Sequence, residues 1–186
     1  MRSKILIAYM ICSLHIIYAS HINLNILKSG DIIFRKEDSF LSDKFEKLNG
    51  KGYSHVGIIY KLNHITYVVH IERTDKNKDF KVVPIDKFLN KATRYIIKRV
   101  KHSDNINFIN QLQIFIKQSP SFDMDFDNKT DDKLYCTEFV YKFYLKSMHI
   151  KLTNHLSNFG FYKFISVGDI LDSPYIITIW DSNINR

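Results

Sequence analysis

Residues 53–73 read YSHVGIIYKLNHITYVVHIER. Two runs rich in β-branched and aromatic residues, 53–60 and 65–73, flank the polar segment Lys61–His64, the pattern of a β-hairpin. With Lys61–His64 as the turn, Tyr60 faces Ile65 and His55 faces His70; a two-residue shift of register sets His55 opposite Glu72 instead. Side chains alternate with period two, so His55, His70 and Glu72 share one face in either case, and Val56, Val69 and Ile71 point to the other. One strand face therefore carries an imidazole beside a candidate orienting group. Glu72 suits that role on charge grounds, because a carboxylate stabilises imidazolium, and His70 is its competitor.

Outward from the hairpin, LKSGDIIFRK (27–36) places a Gly30-Asp31 turn before a short strand, Ile32 to Arg35. Residues 38–50 space Phe40, Leu41, Phe45 and Leu48 as a helix does, ended by Gly50 and Gly52. Downstream, KDFKVVPIDKFL (78–89) reads as a strand followed by a short turn or helix, and RYIIKRV (94–100) as a strand. Residues 104–118 repeat Ile106, Ile109, Leu112, Phe115 and Ile116 at helical spacing, and Pro120 stops them. An acidic loop, 122–132, leads into a helix that opens at Cys136. A second GDI turn (168–170) and the strand YIITIW (175–180) close the chain. Clusters of strands and helices without βαβ alternation predict an α+β fold with an antiparallel sheet.

Cys136 sits in KLYCTEFVYKFY (133–144), with Asp131 or Asp132 as the expected N-cap and Phe139, Val140 and Phe143 on its inward face. A helix N-terminus carries partial positive charge and free N–H groups, which lower a thiol's pKa and can hold an oxyanion. Taken alone, the helix is better read as carrying a small buried hydrophobe. A cysteine nucleophile needs a base, so the histidines decide. His15 and His21 lie in or beside the N-terminal apolar stretch, His64 is in the turn, and His102, His149 and His155 stand among polar residues. Only His55 and His70 fall inside strands.

The chain has 186 residues, enough for one domain, with 45% hydrophobic and 14% aromatic residues, a globular composition. Its first twenty residues combine Arg2 and Lys4, an apolar run from Ile5 to Ala19 and the small pair Ala19-Ser20. They predict a signal peptide or an N-terminal membrane anchor, an exported protein, and a single domain over 21–186. Cys12 lies in that segment without the small residues a lipidation site needs. Removing the leader leaves Cys136 as the only thiol, with no internal disulfide available. The formal charge of +8 falls to about +6 without Arg2 and Lys4 and favours an anionic membrane or cell-wall surface. No zinc-finger spacing, RNP-like motif or Gly-rich phosphate loop appears, so nucleic acid is not an expected partner. Oligomeric state is not legible.

Six pieces then carry a resemblance: SGDIIFR (29–35), YSHVGIIY (53–60), VVHIER (68–73), VPIDKFL (83–89), FDMDFD (122–127) and KLYCTEFVYKFY (133–144). In this order, histidine before cysteine, the chain resembles the permuted NlpC/P60 cysteine hydrolases of the YiiX/YaeF type, which have a circularly permuted papain-like fold. The resemblance implies Cys136 as nucleophile, His55 as general base and Glu72 as the acidic third member. His70 stands where an apolar residue is more usual, as a neighbour of the site. Tyr135 and Glu138 match the helix motif, and Tyr135 either assists an oxyanion or supports the helix. The implied activity is a thiol hydrolase cleaving an amide, as in cell-wall peptides, with no metal or organic cofactor required. The alternatives are a lipid acyltransferase or phospholipase using the same triad, and a binding module without turnover.

Overall fold

Two residues turn the hairpin, Asn63 and His64, both at positive φ (48° and 65°) in the computed structural model of the chain. That is the geometry of a type I′ turn, whose twist matches the flanking strands and which asparagine tolerates well. The structure describes residues 22–38, 43, 46–74, 79–101, 107–126 and 128–184. Strand β2 (His55–Leu62) pairs antiparallel with β3 (Ile65–Ile71), Leu62 on Ile65 and Tyr60 on Tyr67. The four-residue turn is thus corrected to two residues, and Tyr60 faces Tyr67 instead of Ile65. Continued beyond the Ile58–Val69 pair, this register sets Gly57 opposite His70 and His55 opposite Glu72.

Four more strands complete an antiparallel sheet: β1 (Ile32–Glu37), β4 (Phe80–Pro84), β5 (Ala92–Val100) and β10 (Ile176–Asp181). Their order is β10-β5-β1-β2-β3-β4. Gly30 precedes β1 at φ 96°, where a Cβ would lie 2.6 Å from the Phe108 ring. Asp31 beside it accepts two bonds from Arg99, at 2.6 and 2.7 Å, and one from the Lys28 N–H, so the turn is tied to the sheet. Among the described residues the helices include α1 (Ile85–Leu89), α2 (Asn107–Gln118), α3 (Cys136–Met148) and α4 (Val167–Leu171). Two small ladders remain, β6 (Ser121–Phe122) with β7 (Lys133–Leu134), and β8 (Ser157–Phe159) with β9 (Tyr162–Phe164). The fold is α+β, as expected.

Each face of the sheet has its own core. Phe34, Val56, Ile58, Tyr60, Val69 and Ile71 pack against α2 and α3, where Leu112, Phe115, Phe139, Val140 and Phe143 are all but sealed from solvent. Ile33, Ile59, Val68 and Ile97, on the opposite face, meet Leu27, Ile85 and Phe88. Burial of the larger apolar chains is worth roughly 1.5–3 kcal/mol each. Phe139, Val140 and Phe143 therefore hold α3 on the sheet, as the spacing predicted.

Some expectations change. On α2, Ile109 is exposed and Phe108 is buried in its place, because packing against Phe143 and Tyr144 rotates the apolar stripe. The second GDI segment is helical, inside α4 and capped by Ser166. The N-cap of α3 is Tyr135, not Asp131 or Asp132; Asp131 instead pairs with Lys142 and Lys146 along the helix side. The N-terminal segment 1–21, His102, Ile106, and Phe40, Leu41 and Phe45 of the expected 38–50 helix lie outside the described residues. Among the described residues no helix is long and apolar enough to cross a membrane.

Candidate active site

Cys136 is the first residue of α3, and the two residues beside it grip one stretch of backbone. Tyr135 Oη accepts the Ile165 N–H at 2.9 Å and donates to Asn128 Oδ1 at 2.6 Å. Thr137 Oγ1 donates to the Ile165 carbonyl at 2.5 Å. Ile165 is thereby fixed as a wall beside the thiol, and the Tyr135 hydroxyl is committed to positioning. Glu138 Oε2 reaches back to the Tyr135 N–H at 3.4 Å, closing the first turn. That bond satisfies the N–H of the N-cap residue, which has no intrahelical partner, and the helix starts here.

Cys136, His55 and Glu72 line one cavity of about 230 Å³. The meeting is not obvious from topology, since α3 packs on the sheet face opposite His55. It arises at an end: His55 is the first residue of β2, Cys136 the first of α3, and the cavity opens where the sheet stops. The rest of the wall is mostly apolar, with Leu48, Phe122, Phe126, Phe164, Ile165 and Val167, and Arg35, Glu37 and Arg73 supply its other charges.

The hydrogen bonds sort the polar residues. His55 Nε2 lies 2.9 Å from His70 Nδ1, a diagonal contact across the hairpin. Gly57, opposite His70, leaves the space: a Cβ there would be 3.1 Å from His70 Cβ and 2.6 Å from Val68 Cγ1. Phe88 backs both rings, at 5.8 and 5.0 Å between centroids, and the Arg35 guanidinium lies 4.1 Å from the same ring centre. Glu72, in contrast, is held by Lys81 at 2.6 Å and Arg35 at 3.2 Å. So the imidazole is bonded to His70, while Glu72 sits across the register from it with both oxygens engaged elsewhere.

Electrostatics favour a neutral pair. Burial pushes the Cys136 thiol up to about 11, against the N–H groups of Val56, Thr137 and Cys136 itself and the charge of Arg35. Burial likewise drives His55 well below its usual value, helped by Arg35, His70 and Lys81. His70 falls to about 3, through burial and Arg35 and against the pull of Glu72. A general-base step suits such a site: the proton leaves sulfur as the bond forms. The N–H groups around the sulfur are also suitably placed donors for a developing oxyanion.

His64, His149 and His155 are exposed, and none of them lines this cavity. Sequence reasoning passed over Arg35, Arg73 and Phe88, although all three lie in the quoted motifs; each is one charge or ring among many until the cavity gathers them. Among the described residues no group of three or more His, Cys, Asp or Glu is placed to hold a metal ion.

The family described as permuted papain-like amidase enzyme, YaeF/YiiX, C92 family, matches residues 26–164. A solved structure, the metalloprotein yiiX from Escherichia coli O157:H7, is similar in fold with a TM-score of 0.68. It is 22% identical, and the match covers 83% of this chain and 97% of that one. Comparison with curated proteins found no match.

Proposed function

The chain belongs to the permuted papain-like amidase family, and from that premise we propose that it is a thiol hydrolase acting on an amide, with Cys136, His55 and His70 as its working residues. The observation that supports this reading most is the placing of Cys136 at a helix start in the same cavity as His55, whose Nε2 is already taken by His70. That bond leaves Nδ1 of His55 for the thiol, and in the tautomer in which Nε2–H donates to His70, Nδ1 is the proton acceptor.

Cys136 Sγ attacks the carbonyl carbon and its proton passes to His55 Nδ1. The carbonyl oxygen takes the developing charge against the N–H groups at the start of α3. His55 returns the proton to the amine as the carbon–nitrogen bond breaks, leaving a thioester. Water, deprotonated by the same imidazole, releases the acid and restores the thiol. His70 positions the ring. Glu72 balances Arg35 and favours positive charge on His70. The apolar wall suits an apolar group next to the scissile bond, which also fits acyl transfer to or from a lipid by the same steps.

The test is to incubate purified protein with peptidoglycan fragments, simple N-acyl amides and phospholipids, beside Cys136→Ala, and to identify products by mass. Cleavage by wild type alone supports the reading, and the substrate class cleaved separates amidase from lipid activity. Identical outcomes for the two proteins on every substrate sink it. A thiol probe labelling Cys136 in wild type, and far more slowly in His55→Ala, supports the pairing directly.

A further inference from the structure

Deepening that reading, and resting on it for the identity of the site, we propose that Arg73 selects substrates bearing a carboxylate beside the apolar group held in the cavity. The argument is one of charge and space. At about 230 Å³ the cavity is smaller than the roughly 300–1,000 Å³ that encloses a whole drug-sized ligand. It takes the group next to the scissile bond, and the remainder of a substrate lies across the mouth.

Among the described residues that line the cavity, the charges are paired except for one. Arg35 bonds to Glu37 at 2.5 Å and to Glu72 at 3.2 Å, and Lys81 holds the other oxygen of Glu72 at 2.6 Å. Two cations and two carboxylates thus neutralise one another. Arg73 lines the same cavity, is exposed, and meets no carboxylate among the described residues. Its position is nevertheless firm. The N–H groups on either side of it are tied to one residue, Glu72 N–H to the Asp79 carbonyl at 2.9 Å and Thr74 N–H to Asp79 Oδ1 at 2.8 Å. The other Asp79 oxygen accepts the Phe122 N–H at 3.0 Å, locking this segment to the apolar wall.

An arginine whose backbone is tied at the rim of an apolar slot brings there a fork that matches a planar carboxylate, which it can bond twice. A neutral substrate gains nothing from it. The match is open to solvent, so its expected worth is a preference of roughly three- to fivefold at low salt, fading as salt rises.

Binding of hippurate and of its neutral counterpart hippuramide to the Cys136→Ala protein measures this without turnover. By titration calorimetry hippurate binds about three- to fivefold more tightly at low salt; Arg73→Gln in the same background abolishes the preference and Arg73→Lys keeps part of it. Equal binding of the two ligands, a preference that survives Arg73→Gln, or no measurable binding of hippurate overturns the proposal. Absence of turnover by wild type on any amide or ester counts against the hydrolase reading alone.

Discussion

His70 Nδ1 lies 2.9 Å from Nε2 of His55, while the carboxylate of Glu72 is spent on Arg35 and Lys81. The imidazole of the candidate base is thus oriented by a second imidazole. A neutral partner can hold the ring in one tautomer, as a carboxylate does, but adds no fixed negative charge to the bond.

The two candidates for the third position separate by mutation. His70→Ala is expected to lower kcat by about a hundredfold, the low end for a general-base system losing its support. His70→Asn, which still offers an acceptor to Nε2–H, recovers part of it. Glu72→Gln costs less than about tenfold, since Arg35 keeps Glu37. The pH profile supplies the check that a merely structural role fails: without His70, which helps depress His55, the acid limb moves upward.

Activity against pH follows from the direction of the His55 shift. The ring works only when unprotonated, and burial, Arg35, His70 and Lys81 hold its pKa well below 6.5. The kcat/KM profile is therefore flat through pH 6.5 and falls only at clearly lower pH. Lys81→Met removes one depressing charge and shifts the acid limb upward, measured on a small amide over pH 4 to 9 or so.

Glu138 makes stability depend on pH in the opposite sense to the histidines. Burial raises its carboxyl to about 7, against the pull of Lys142 Nζ at 2.8 Å. A carboxyl raised on folding stabilises the fold while protonated, so its contribution is lost as pH climbs from about 4.5 to about 7. The ceiling is about 3 kcal/mol. The depressed histidines lose stability as pH falls below 6.5, so the wild-type curve alone mixes the two. Urea unfolding of Glu138→Gln beside wild type isolates the carboxyl: the variant gains stability relative to wild type between pH 5 and pH 8.

Gly57→Ala tests the space beside the histidine pair. Its Cβ would press on Val68 and His70, costing about 1–3 kcal/mol by overpacking. The expected result is a lower melting temperature together with slower labelling of Cys136 by a thiol probe, as His70 and then His55 are displaced. Unchanged labelling with lowered stability would show that the crowding is absorbed by Val68 alone.

Local chemistry made much of this protein readable from its residues. The α+β class follows from runs of strand and helix signals that do not alternate, and the inward face of α3 from the spacing of Phe139, Val140 and Phe143. That His55, His70 and Glu72 share a face needs only the two-residue period of a strand. Two things were decided in three dimensions. The register of the hairpin depended on whether Asn63 and His64 alone could turn it, a matter of two positive φ angles. The partner of His55 depended on charges far apart in sequence: Arg35 and Lys81 claim Glu72, and Gly57 lets His70 approach instead. Periodicity places a side chain on a face, but which neighbour it bonds depends on competition among all the groups that reach it. That competition exists only once the strands, α3 and the segment around Ile165 have closed on one another.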